Sequence, residues 1–452
     1  MKNPNQISIE KEKTLPTSSV VGEEMLKTSK KPGWMTKWCF LLLGTLLLAQ
    51  PAWGSSLKLR GYAEARYTFS GGADLGNLCE NPLLAGNKKQ CESFENPNIL
   101  VTRIRPSALI KFNSKARIRV TGNFLTSHFK LDREINEITD LLTLQRMYLD
   151  LRLGNFDVRA GMQAFRWGPA QFWNLTIPYN PTDPTDPAAE LPGLWGLNVY
   201  YSYSATGGVR FAILAAPDFK DMIQLIRWKQ TFGLQDVAAT FMHDGVNKRF
   251  IGAVDIKGEL KVGFWLEAAV YLPYEDKGDD IKAWEPTFAV VFGIDYTFPV
   301  LENLYVMLQY YYNHAGQSDP SKYPWKSSKG LQQIASVFQT PPSNNVTGIG
   351  LSQSFIGAHY LLLSVRLSLN EDMSVALTAM ANLLDPSGFA GPVFNYSFLD
   401  NFSLSVGAYY FFGPEGSEFN IGRLEIPIPD APKDGIAVSP QFALFTWLRY
   451  NF

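Results

Sequence analysis

From Leu57 onward, apolar residues occupy every second position: Leu57, Leu59, Gly61, Ala63, Ala65, Tyr67 and Phe69, separated by Lys58, Arg60, Tyr62, Glu64, Arg66 and Thr68. A period of two puts successive side chains on opposite faces of an extended chain, so the segment reads as a strand with one apolar and one polar face. The pattern recurs over residues 100–112, 118–124, 264–270, 288–296, 361–369 and 404–412. No helical period competes over a comparable length. The fold class is all-β, and what remains is whether the sheets pack on each other or close within a membrane.

Three features select the membrane. The apolar faces of residues 57–69 and 358–369 exceed the usual soluble strand of about 5–6 residues and match the roughly 9–11 of a tilted membrane strand. Aromatic pairs close the apolar faces, as in Tyr67/Phe69, Tyr201/Tyr203, Tyr296/Phe298, Tyr310/Tyr312 and Tyr410/Phe412, which is how an interfacial girdle appears in sequence. The polar parity carries arginines, which a water-filled lumen accommodates and a packed core does not. Composition agrees: the chain is 46% hydrophobic and 13% aromatic, too apolar for disorder. Its longest apolar run, residues 38–49, is shorter than the roughly 20 residues of a spanning helix. The expected fold is a transmembrane antiparallel up-and-down β-barrel.

Short turns are expected at 113–115, 154–155, 206–208, 233, 257–259, 299–303, 370–372 and 399–401, alternating with longer loops at 70–97, 126–141, 166–196, 216–221, 244–247, 272–286, 314–357, 383–391 and 413–440. These connections imply about 18 strands, with both termini on the short-turn side and an even count, as bacterial barrels require. Dropping the strand at 222–232 with a neighbour would give 16.

The last strand alternates Phe442, Leu444, Thr446, Leu448, Tyr450 and Phe452 up to a terminal Phe. This resembles the closing strand of porin-type outer-membrane β-barrels of Gram-negative bacteria. The resemblance implies that Tyr450 and Phe452 form the signal read by the barrel assembly machinery, and that lipopolysaccharide and outer-membrane lipid surround the protein, with a homotrimer as an assembly of this class. A second succession, Gly161-Met162-Gln163, Trp167-Gly168 and Asn180-Pro181, is similar to one in 18-stranded alginate-export-type barrels. There an arginine stands where this chain has Met162. That resemblance implies an arginine-rich lumen passing an anionic polysaccharide.

Residues 1–54 read as a signal peptide: Lys37 precedes an apolar run over 39–48, and Ala52-Trp53-Gly54 has the small-x-small form of a cleavage site. The polar stretch before Met35 is over-long for such a segment, so translation is expected to start at Met35 or Met25. Residues 55–452 then form a single barrel domain. Cys79 and Cys91 are the two cysteines beyond the signal, and an exported chain with an even count is expected to join them in a disulfide.

Residues 55–165 carry 16 basic and 11 acidic side chains, whereas residues 166–452 carry 18 and 27. Within the basic third, Arg60, Arg66, Arg103, Arg105, Lys111, Arg117, Arg119, Arg152 and Arg159 share the polar parity of consecutive strands. A row of cations in a pore focuses anions. The alternative is that some of them neutralise Glu64, Asp150 and Asp157 across strands. The loop between Trp167 and Trp195 holds Trp173, Tyr179, Asp183, Asp186 and Glu190. Proline-stiffened, it is expected either to fold inward as a constriction or to cap the barrel outside.

Four histidines, His128, His243, His314 and His359, have no serine partner in the His-x-Ser form of lipid-hydrolysing barrels. No enzymatic activity, cofactor, metal site or nucleic-acid partner is expected. The functional expectation is a passive channel for small polar, anionic solutes. A dedicated pore for an anionic polymer and an adhesion barrel without conductance are the alternatives.

Overall fold

The computed structural model describes residues 56–71, 98–131, 134–176, 191, 193–216, 221–274, 285–326, 356–421, 423–424, 436–437 and 441–452. The expected signal segment with its expected start sites, and Cys79, Cys91, Tyr179, Asp183, Asp186 and Glu190, lie outside these residues.

The first half of the sheet comprises β1 (Ser56–Gly71), β2 (Asn98–Lys111), β3 (Ala116–Leu131), β4 (Glu134–Leu153), β5 (Phe156–Gln163), β6 (Leu194–Ser202), β7 (Gly207–Leu214), β8 (Ile223–Phe232) and β9 (Gln235–Asp244). The second comprises β10 (Arg249–Glu259), β11 (Gly263–Pro273), β12 (Thr287–Phe298), β13 (Asn303–Asn313), β14 (His359–Ser368), β15 (Met373–Asn382), β16 (Ser387–Leu399), β17 (Phe402–Phe412) and β20 (Phe442–Asn451). A separate small hairpin, β18 (Arg423–Leu424) and β19 (Ile436–Ala437), precedes β20. Each barrel strand pairs antiparallel with its neighbours. β20 lies between β17 and β1, with Ala63 opposite Tyr450 and Tyr67 opposite Thr446. The sheet is thus an 18-stranded closed antiparallel barrel, and the count is 18 and not 16. Closure leaves no unpaired edge, the one way a sheet satisfies its backbone in hydrocarbon.

All eight short turns exist, and their chemistry is local. Asn113 Oδ1 accepts from the amides of Lys115 and Ala116, each at 2.8 Å. Asn370 Oδ1 does the same for Asp372 and Met373 at 2.9 and 2.7 Å. In such turns an Asn side chain satisfies amides that the ladder cannot. Four connections differ from expectation. β3 and β4 run through most of 126–141, because a hydrogen-bonded ladder continues where side-chain alternation has ceased. The turns expected at 206–208 and 257–259 are displaced to residues 203–206 and 260–262, since Gly207, Gly208 and Gly258 pair as ladder residues within β7 and β10. The loop expected at 383–391 ends at β16, which begins at Ser387.

The outer face is apolar. Leu59, Ile104, Phe211, Ile226, Phe241, Val254, Phe292 and Leu448 are exposed there, and the aromatics Tyr67, Tyr201, Tyr203, Tyr296, Phe298, Tyr410 and Phe412 are exposed near the strand ends. The inner face is not uniformly polar. Its buried cluster includes Leu214, Ile223, Met242, Ile251, Trp265, Val291, Met307, Tyr360, Leu362 and Phe389, together with Phe165, Trp173, Leu175 and Phe419 from connecting segments. Loops folded inward bury the apolar inner residues of the β7–β17 wall.

Candidate functional site

The inner face of β1–β4 is basic because the register stacks its polar parities. Lys111 stands opposite Arg117, and Leu109 opposite Arg119. Ser107 faces Arg60 on one side and Thr121 on the other, and Thr121 faces Arg146. Lys58, Arg60, Arg105, Lys111, Arg119 and Arg146 line one cavity of about 530 Å³ with Tyr62, Ser107, Thr121 and Gln145. No carboxylate is among its lining residues.

The expected basic residues divide into two groups. Arg103 pairs with Glu64 at 3.1 Å. Arg117 and Arg159 share Asp150 at 2.7 and 2.5 Å, and Arg152 lies 3.5 Å from Asp157 with both side chains well exposed. Arg60, Lys111 and Arg119 form no ion pair among the described residues and are exposed. Arg105 is buried, donating from Nε to Asn123 Oδ1 at 2.5 Å with its guanidinium 5.3 Å from the Tyr62 ring. Arg66 sits further along β1, opposite Val101 and Trp447. Pairing with Glu64, Asp150 and Asp157 and an open basic surface therefore coexist on one wall, with Lys111 directly opposite the paired Arg117.

Two cavity cations were missed in the sequence. Lys58 shares the parity of Arg60 and could have been found. Arg146 could too: it shares the parity of Asp150 and Arg152, and the β3–β4 register shift between Thr121 and Gly122, which leaves Gln145 without a cross-strand partner, lies beyond it.

Beyond β5, residues 164–176 cross the interior to the β11–β14 wall. Glu267 on β11 holds them: its carboxylate accepts from the amides of Leu175 and Thr176 and from Thr176 Oγ1, each at 2.9 Å, and from the amide of Ala170 at 3.4 Å. Gln171 adds bonds to Gln309 Oε1 and Tyr305 Oη, each at 3.2 Å. The Trp173 ring stacks on Tyr311 at 4.8 Å and lies 6.3 Å from Tyr360. Arg166 donates to the carbonyls of Ala170 and Gln171, bending the segment onto itself. Gly168 has φ +98° and packs on the Glu267 carboxylate where a methyl group would collide. Of the expected constriction residues, Trp173 is in this inward part.

A second inward unit docks beside the first. Glu418 accepts from Tyr360 Oη at 2.6 Å, Asn382 Nδ2 at 2.7 Å and the Ile356 amide at 2.8 Å, while its own amide donates to Asp385 at 2.7 Å. Burial pushes the Glu418 carboxyl above the ordinary carboxylate range, against the opposing effect of these hydrogen bonds. Trp325 Nε1 donates to the Gly416 carbonyl at 3.0 Å, and Asn382 also bonds Tyr323 Oη at 2.9 Å. The lumen is therefore lopsided: its β11–β17 wall carries docked segments, and its β1–β4 wall carries the basic cavity.

No protein-family model matches the sequence, and comparison with curated proteins gives no match. Solved structures do match. Pseudomonas aeruginosa OccK11 (OpdR) superposes with a TM-score of 0.52 at 9% identity, over 88% of this chain and 96% of that one. P. aeruginosa OccK5 (OpdH) gives 0.50 at 8% identity, over 87% and 98%. P. aeruginosa OccK2 (OpdF), solved in complex with glucuronate, gives 0.50 at 10% identity, over 88% and 98%. At these identities the likeness is one of fold alone.

Proposed function

We propose that this chain is a channel in the outer membrane of a Gram-negative bacterium, passing small anionic solutes by diffusion along the basic wall of β1–β4. The observation that carries the reading is the cavity itself. Six cationic side chains converge there without a lining carboxylate, and Arg60, Lys111 and Arg119 are exposed and have no ion pair among the described residues. Elsewhere on the inner wall cations are neutralised, as where Arg227 holds Asp255 through two bonds of 2.6 and 2.9 Å. Uncompensated cations on the wall of a water-filled passage raise the local concentration of anions. That OccK2 was solved with glucuronate, a small carboxylate, is compatible with this chemistry. The protein then acts by conduction and not by catalysis, and its solutes are its transient partners.

The test is purified protein in a planar bilayer under a salt gradient. A reversal potential on the anion side is the expected result. Cation preference would overturn the anionic reading, and absence of conductance would favour the adhesion barrel. Block by an anionic polysaccharide with little free ion flow would favour the polymer pore.

A further inference from the structure

We infer that Glu267 is a positioning residue: by holding residues 164–176 across the lumen, it narrows the passage and directs solutes toward the basic wall of β1–β4. The inference rests on the channel reading for its functional part.

The argument starts from the cost of burial. A carboxylate withdrawn from water is tolerated where donors surround it. Glu267 has no exposed surface, and its partners are three amides and one hydroxyl, all from the crossing segment and 91 to 97 residues away in sequence. Those amides belong to no strand ladder, so without the carboxylate they would need water or another acceptor inside the barrel. The bonds are mutual: the segment desolvates the acid, and the acid supplies the acceptors that let an irregular backbone lie in the interior.

Geometry makes the anchor directional. The segment leaves β5, whose Arg159 belongs to the basic side, and is fastened on β11 by Glu267, on β13 by Gln309, Tyr305 and Tyr311, and near Tyr360 of β14. Trp173 and Leu175 are buried against that wall. The bulk therefore lies away from the cavity of Lys58, Arg60, Arg105, Lys111, Arg119 and Arg146, and the volume left for solute adjoins those cations. Gly168 is the matching adaptation within the segment, since its φ of +98° and missing side chain let the backbone reach the acid.

The experiment compares full-length mature protein with Glu267→Ala and, independently, Gly168→Ala. It reads single-channel conductance, the largest neutral solute admitted in liposome swelling, and the reversal potential. Amide hydrogen exchange over 164–176 is followed in the same samples. Both variants are expected to conduct more, admit larger solutes, lose anion preference and lose amide protection at 170, 175 and 176. Folded variants with unchanged conductance, size limit and protection would overturn the inference. If wild type conducts without anion preference, the channel reading fails on selectivity, while conductance and size limit still judge the anchor. If wild type does not conduct, hydrogen exchange alone judges it, and unchanged protection in both variants refutes it.

Discussion

Glu64 and Arg449, 385 positions apart in the chain, meet across the seam where the first and last strands join, with Arg449 Nη2 donating to Glu64 Oε2 at 2.8 Å. The same carboxylate takes Arg103 of β2 at 3.1 Å and Trp447 Nε1 of β20 at 3.0 Å. One nearly buried acid thus ties three consecutive strands of the closed sheet. Removing it leaves two arginines facing each other in a site of restricted water access. Because Arg449 keeps partial exposure, Glu64→Ala is expected to cost about 3 kcal/mol, the low end for breaking a buried pair. The check is the denaturant midpoint, followed by the gel-mobility difference between folded and unfolded barrel.

Phe452 completes the seam from the other side. Its amide donates to the Gly61 carbonyl at 2.9 Å and its carbonyl accepts from the Gly61 amide at 2.8 Å, beyond the last residue of β20. Deleting Phe452 removes both bonds and the ring seated over Gly61. A lower yield of folded protein in the outer-membrane fraction is expected, with conductance per folded channel unchanged. An unchanged yield would remove Phe452 from the assembly signal.

Charge reversal should separate the paired from the open cations. Arg119→Glu removes a charge with no ion pair among the described residues, whereas Arg152→Glu disturbs an exposed pair with Asp157 whose strength solvent already screens. The reversal potential should shift markedly toward cations for Arg119→Glu and for Arg60→Glu, and little for Arg152→Glu. Equal shifts for all three would mean that only total lumen charge matters.

Docking of the segment that carries Glu418 should depend on pH with a definite sign. Burial raises the Glu418 carboxyl above the value it has in water, so between the two values the docked state binds more protons than the undocked one. Docking is therefore favoured as pH falls into that window and disfavoured as pH rises through it. Glu418→Gln should abolish the dependence. Hydrogen exchange at the Ile356 and Glu418 amides across a pH series, corrected for intrinsic exchange rates, measures it. Protection that weakens on acidification would refute the sign.

The barrel was legible because its signal is repeated and local. Strands such as 57–69 alternate strictly, and each short turn carries its own chemistry, as Asn113 and Asn370 illustrate. The strand count follows by alternating turns with loops. Where the pattern is interrupted, the expected boundaries differ: β3 and β4 extend through 126–141 on backbone pairing.

The candidate site was half legible for a related reason. Parity tells which face a side chain occupies, so Arg60, Lys111 and Arg119 could be assigned to one wall. It does not tell which cation meets an acid, because Glu64, besides Arg103 on the next strand, reaches Arg449 only through closure of the sheet. Nor could it single out Glu267, an acid on the inner parity of β11 whose significance depends on amides nearly a hundred residues earlier.

The sequence by itself determined a closed sheet of about 18 strands, with 16 as the alternative, and an apolar outside, since a period of two and turn chemistry are properties of short segments. Only the tertiary structure decided that the inside is lopsided. Bond energies between a loop and a distant wall depend on where that loop folds, and no local pattern encodes it: Glu267 draws residues 164–176 to one side, leaving the cavity of Arg60 and Arg119 on the other.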